Sequence, residues 1–124
     1  MAKVVRAVRG AVSIEENSAG AILQGTGRLL SELARINHLR PEDIISVIFT
    51  ATPDLNAAFP AAAARQLGWT GVPLLDAVEM AVPGSLPRVV RVLLHCLVEE
   101  GAGPLQPVYL GEAASLRPDL EFFG

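Results

Sequence analysis

The sequence predicts a one-domain α/β or α+β fold, and three observations carry that prediction. Short β-branched stretches alternate along the chain with two segments of helical spacing. The 124 residues are 51% hydrophobic and only 19% charged, with a mean hydropathy of +0.40. That is enough apolar mass for one core, in a chain too short for two. No repeat, low-complexity linker or composition shift divides the chain, so residues 1–124 read as a single domain.

Residues 3–14, KVVRAVRGAVSI, alternate roughly and predict a strand, with Gly10 allowing a bend or bulge. Residues 19–36 predict a helix: Ile22, Leu29, Leu33 and Ile36 follow its spacing, and Asn17 or Ser18 is available as the cap. Gly20, Gly25 and Gly27 weaken its first half by up to about 1 kcal/mol each. Asn37 to Pro41 stops the helix, and IISVIFTAT (44–52) reads as a second strand ending at Pro53-Asp54. Phe59 to Leu67 is alanine-rich and predicts a short helix, with Pro60 near its first position. A third strand is expected over Leu74 to Met80, before a loop forced by Pro83, Gly84 and Pro87. RVVRVLLHCLV (88–98) fits a helix through Val89, Val92, Leu93, Cys96 and Leu97, while its β-branched start and Pro87 favour a strand. Gly101 to Pro107 reads as loop, Val108 to Leu110 as a short strand and Leu116 to Asp119 as a terminal turn.

Composition also removes function classes. The longest uncharged apolar run, Val92 to Val98, is far short of the roughly 20 residues of a membrane span. The first residues, with Lys3, Arg6 and Arg9, lack a signal peptide's apolar core and cleavage site. One cysteine, Cys96, excludes an internal disulfide and a cysteine-rich zinc site. A net charge of −3 without a basic run argues against nucleic acid. A cytoplasmic protein that binds neither nucleic acid nor membrane is the expectation.

No nucleophile elbow, P-loop or dinucleotide fingerprint occurs. His38 and His95 lack metal-ligand spacing; His38 sits in a polar turn, and His95 in an apolar run reads as a core histidine. Cys96 reads as a small buried hydrophobe. What remains is charge in apolar surroundings. Arg91 interrupts Val89-Val90 and Val92-Leu93-Leu94, Glu79 stands among Ala77, Val78, Met80 and Ala81, Asp76 follows Leu74-Leu75, and Arg9 ends an apolar stretch. Taken singly these are edge charges; together they suggest a pocket for a small anion. Nine of the ten basic residues are arginine, a skew that genome composition, thermal adaptation or anion-binding forks would each produce.

Four segments, VRGAVSIEEN, ATPDLNAAFPAAAARQLGW, VPLLDAVEMAVPGSLPRVVRV and VYLGEAASLRPDL, occur in this order. With the helix between the first two, the chain resembles the monofunctional chorismate mutases of the AroH class over nearly all of residues 4–120. The resemblance implies a homotrimer of α/β subunits, each a mixed sheet with helices on one face, the three sheets forming a pseudo-α/β-barrel with clefts between subunits. It also implies that 88–98 is a strand, with Arg91, Leu93 and His95 on one face and Val90, Val92 and Leu94 on the other. Residues 112–124 would be a mobile tail closing over the site.

The implied reaction is the rearrangement of chorismate to prephenate on the route to phenylalanine and tyrosine, without cofactor or metal. It is pericyclic: an ether C–O bond breaks as a C–C bond forms, and no proton moves. That agrees with the missing nucleophile motif. Catalysis must then come from holding the dianion in its compact reactive conformer and from setting positive charge against the ether oxygen. A millionfold acceleration needs about 8 kcal/mol.

Carried over by position, Arg91 matches the arginine on the ether oxygen and a carboxylate, and Glu79 the acid that accepts from the ring hydroxyl. Arg9 matches a carboxylate-binding arginine and Tyr109 the tyrosine lining that end. Phe59 matches an aromatic wall from across the interface, with Ala61 beside it and Arg65 at the cleft mouth. Leu74, Leu75, Asp76, Ala77 and Val78 would form the strand edge against the ring, and Leu116 and Arg117 the closing tail. Two departures stand out. Ala62 replaces an entrance lysine of some relatives, and Asp76 occupies a position that can be cysteine. Strict alternation would put Asp76 and Glu79 on opposite faces, so either the strand is irregular or only its end reaches the ligand.

Two other classes fit less of the chain. A non-catalytic trimeric module binding small anions would have no reason to keep Arg9, Glu79, Arg91 and Tyr109 together. An imine-hydrolysing enzyme on a similar trimer is opposed by ATPDL and LRPDL. Feedback by phenylalanine or tyrosine is not expected of so short a chain.

Overall fold

The computed structural model describes residues 2–116. Five strands form one mixed sheet: β1 (Lys3–Ser13), β2 (Ile44–Ala51), β3 (Leu74–Val78), β4 (Val89–Glu99) and β5 (Val108–Leu110), in the order β3-β2-β4-β1-β5. β4 is antiparallel to both β1 and β2, whereas β3 runs parallel to β2 and β5 parallel to β1. Segment 88–98, ambiguous by periodicity, is therefore the central strand. No helix among the described residues is long and apolar enough to cross a membrane.

Helix α1 (Ala19–Ile36) begins where Ser18 Oγ accepts from Ala21 N–H at 3.1 Å. It buries Ile22, Thr26, Leu29, Leu30 and Leu33. Ile22, Leu29, Leu30 and Leu33 meet Val8 and Val12 of β1, Val47 and Phe49 of β2, and Val90, Val92, Leu94 and Cys96 of β4 in the main core. The short helix α2 (Ala61–Gln66) adds Ala61 and Ala64 to the same core. Both helices thus cover one face of the sheet.

Gly10 behaves differently from the expected bend or bulge. It pairs in register with Val92 and Val108. A Cβ there would lie 2.9 Å from the Val108 carbonyl oxygen and 3.0 Å from a Leu29 methyl. The residue is small so that α1 can close on the sheet. The irregular pairing falls instead between Ile44 and Ser46 of β2. β3 ends at Val78, two residues short of the expected Met80, because β2 has no residue beyond Ala51 to pair with it.

After β5, a 3-10 helix (Gly111–Leu116) crosses to the face opposite α1. Gly111 turns with φ +65, and Glu112 N–H donates to Ser13 Oγ at 2.9 Å. Ala113 is fully buried against Ala11 and Val89, with Tyr109, Leu86 and Leu116 packed around them. The expected tail thus begins as a packed element as far as Leu116. Arg117 and the rest of that tail lie outside the described residues.

Candidate active site

The sheet face away from α1 carries Arg9 and Arg91, two of the charged residues singled out above, in rows set by strand register. Residues directly opposite on neighbouring strands share a face. One row runs Tyr109, Ala11, Arg91, Thr50, Ala77 across all five strands. The next runs Arg9, Leu93, Ile48, Leu75. Arg9 and Arg91 are diagonal neighbours on paired strands, a spacing of roughly 7–8 Å between backbones. Two arginines therefore stand on adjacent strands of a face with little helix cover.

Glu79 completes the group. It follows the last residue of β3, and its backbone N–H donates to the Ala51 carbonyl at 2.9 Å. Its Oε1 lies 2.5 Å from Arg91 Nε and accepts from Thr50 Oγ1 at 3.0 Å. Arg91 Nε is buried, and its N–H is not aligned with that oxygen, so the contact is one of charge rather than a hydrogen bond. Glu79 meets the guanidinium at its inner nitrogen. Among the described residues neither Nη has a hydrogen-bond acceptor, which leaves the outer fork facing the open side. A planar fork with two donor nitrogens suits a carboxylate or an ether oxygen next to one.

The start of β4 is held by a bracket that sequence reading missed. Val89 N–H donates to Thr52 Oγ1 at 3.0 Å, and Arg88 N–H donates to Asp54 Oδ2 at 3.0 Å. Thr52 Oγ1 in turn donates to Asp54 Oδ1. Arg88 takes a left-handed conformation, φ +50, in doing so, and its Nε donates to the Ile14 carbonyl at 3.0 Å. The ATPD segment is thereby the clasp that sets where β4 begins, two residues before Arg91. The signal was in Thr52 and Asp54, small polar residues two positions apart at a strand end.

Asp76 is not part of the Arg91 group. β3 is regular, so Asp76 pairs with Phe49 and points to the helix face, while Ala77 and then Glu79 take the open one. Its Oδ1 accepts from Ala61 N–H at 3.0 Å, at the first turn of α2. Burial pushes its carboxyl above the ordinary value, against the opposing pull of the Ala61 N–H and of Arg65. A cavity of about 530 Å³ lies beside it, lined by residues including Phe59, Pro60, Asp76, Ala77 and Val78.

The remaining candidates separate cleanly. His95 is half-buried on the open face, not in the core as expected, with Nδ1 3.4 Å from Ser46 Oγ. His38 is exposed at φ +55. Cys96 is buried, and desolvation raises its thiol above the ordinary value.

The family described as "Chorismate mutase type I" matches residues 5–120. A relative named "Chorismate mutase AroH" from Thermus thermophilus is 50% identical over 119 residues, covering 95% of this chain and 98% of that protein. One of the same name from Bacillus subtilis (strain 168) is 40% identical over 118 residues, covering 94% and 93%. The chain belongs to the type I chorismate mutase family. A solved chorismate mutase from Clostridium thermocellum superposes with a TM-score of 0.86 at 44% identity, covering 89% of this chain and 98% of that one.

Seen as a chorismate mutase, the chain divides its candidate residues into two groups. Arg9, Glu79, Arg91 and Tyr109 gather on the open face, with Leu116 of the 3-10 helix packed beside Tyr109 against Ala11 and Val89. Phe59, Ala61, Arg65, Leu74, Asp76 and Val78 gather at the β3 edge and α2 on the helix side. Leu75 and Ala77 lie on β3 between them. Leu75 stands three strand spacings from Arg9, about 14 Å.

Proposed function

We propose that this chain catalyses the rearrangement of chorismate to prephenate in the cytoplasm, as a homotrimer with its clefts between subunits. The observation that carries this reading is the Arg91–Glu79 pair on the open face, with no acceptor on Arg91's Nη groups among the described residues. Family membership supplies the substrate.

The reaction needs a conformer and a field. Arg91 donates through its Nη groups to the ether oxygen and a neighbouring carboxylate. That oxygen gains negative charge as the C–O bond breaks, so a fork already held in place stabilises the transition state more than the ground state. Glu79 accepts from the ring hydroxyl through Oε2, fixing the ring while Oε1 faces Arg91 and Thr50. Arg9 binds a carboxylate, and Tyr109 lines that end. No proton is transferred and no covalent intermediate forms.

The intersubunit cleft is supported by the division of the candidate residues. Phe59, Leu75 and Val78 are exposed in the single chain, at 71%, 60% and 76%, as the far wall of a site completed by a neighbour would be. Phe59 then forms that wall, Arg65 marks the mouth, and Leu116 and Arg117 close the site. The open sheet face, with Val5, Leu93 and Leu97, is apolar enough to pack against other copies and form the pseudo-barrel. Asp76 serves this wall from behind, by holding the first turn of α2.

The test is to mix purified protein with chorismate and follow loss of its ultraviolet absorbance together with prephenate formation. Acceleration over the uncatalysed rate is expected. Binding of chorismate without acceleration would instead make the chain a small-anion module on the same scaffold.

A further inference from the structure

We propose that Thr50 is a positioning residue for Glu79. The inference rests on the reading that Glu79 contacts the substrate hydroxyl.

Glu79 lies beyond the last residue of β3, so the sheet ladder holds its backbone by a single bond to Ala51 and does not fix its side chain. Among the described residues two contacts do that, and both fall on Oε1: Arg91 Nε at 2.5 Å and Thr50 Oγ1 at 3.0 Å. The Arg91 contact is unaligned and fixes distance rather than direction. The Thr50 hydroxyl has one proton, and donating it to Oε1 sets the rotation of the carboxylate plane. Oε2 then has no donor among the described residues and keeps its lone pairs for the ligand.

Register explains how Thr50 reaches this place. It pairs with Arg91 on β4 and with Ala77 on β3, so its side chain stands between the arginine and the strand that leads to Glu79. A half-buried strand position of this kind suits valine on packing grounds. The hydroxyl adds a directed donor at the same size.

The experiment compares Thr50→Val, Thr50→Ser, Glu79→Ala and the double variant Thr50→Val/Glu79→Ala, with steady-state kinetics on chorismate and circular dichroism to verify folding. A hydrogen bond to a charged group predicts that T50V lowers kcat/KM roughly tenfold, while T50S, which keeps the hydroxyl, stays within about twofold of the parent. If Thr50 acts through Glu79, the double variant is no slower than E79A alone, because alanine leaves Thr50 no acceptor and the two losses are one loss. Multiplying losses would overturn the proposal, as would a T50V enzyme at parental rate beside an impaired E79A. E79A at parental rate would instead overturn the reading of Glu79 itself. Thr50→Ala runs through the same cycle should the valine disturb the sheet.

Discussion

Asp76 and Glu79 stand three residues apart and direct their carboxylates to opposite sides of one sheet. Asp76 accepts from Ala61 N–H on the helix side, and Glu79 meets Arg91 on the open side. A second carboxylate would be unwelcome beside a dianion, and Asp76 is turned away from Arg9 and Arg91 and accepts at the first turn of α2.

The pH dependence of Asp76 follows from that placement. Burial raises its carboxyl in the folded chain, so the folded state binds the proton more tightly than the unfolded one. Stability from this group is fully present below the unfolded value of 3.8 and is lost as pH rises through the higher folded value. Asp76→Asn keeps an oxygen for Ala61 N–H and has no charge to desolvate. Its stability relative to the parent should therefore improve as pH rises from about 4 through the folded value, as measured by urea unfolding at a series of pH values. A difference that is constant with pH would contradict the assignment.

Arg91→Lys tests the fork. A lysine keeps the charge and loses the planar pair of donors. Removing one preorganised donor to a developing oxyanion costs roughly a hundredfold to a thousandfold in kcat, and a loss of that order is expected. Turnover near the parental rate would mean that charge alone suffices.

Asp54→Ala tests the clasp. It leaves the Arg88 N–H and the Thr52 hydroxyl proton without their acceptor. Losing a hydrogen-bonded carboxylate of this kind costs about 1–3 kcal/mol, read as a lower urea midpoint with an unchanged slope. Activity should fall with it, because the residues that begin β4 also place Arg91.

Leu97→Glu tests the assembly. Leu97 is on the open face, opposite Val5 and six residues from Arg91, and is 36% exposed in the single chain. Light scattering should give the parent about three times the 13.1 kDa chain mass, and the variant a smaller particle with reduced turnover. A variant with parental mass and rate would place the interface elsewhere.

Local rules made much of the fold legible. Ser18 and the spacing of Ile22, Leu29 and Leu33 mark α1 over Ala19–Ile36, because capping and periodicity are decided by nearby residues. Segment 88–98 was readable as a strand only through family resemblance. Being buried on one face and half-buried on the other, β4 has few polar residues to mark a period of two. Gly10 was misread because its constraint comes from Leu29 and Val108, distant in sequence. At the site, the identities of Arg9, Glu79 and Arg91 were visible as misplaced charge. The partners of Asp76, Thr50 and Asp54 were not, since each bond joins strands or loops whose neighbours are set by topology.

The register of β1 with β4 runs from Lys3 opposite Glu99 to Ser13 opposite Val89. The first strand therefore waits for nearly the whole chain before its central partner exists. During synthesis, β1 and β2 cannot close the sheet, since β4 lies between them. Such long-range pairing folds in milliseconds to seconds rather than microseconds. Arg9 and Arg91 come together in that same late step, so the two cations are spared each other's company until the rest of the sheet is ready to hold them.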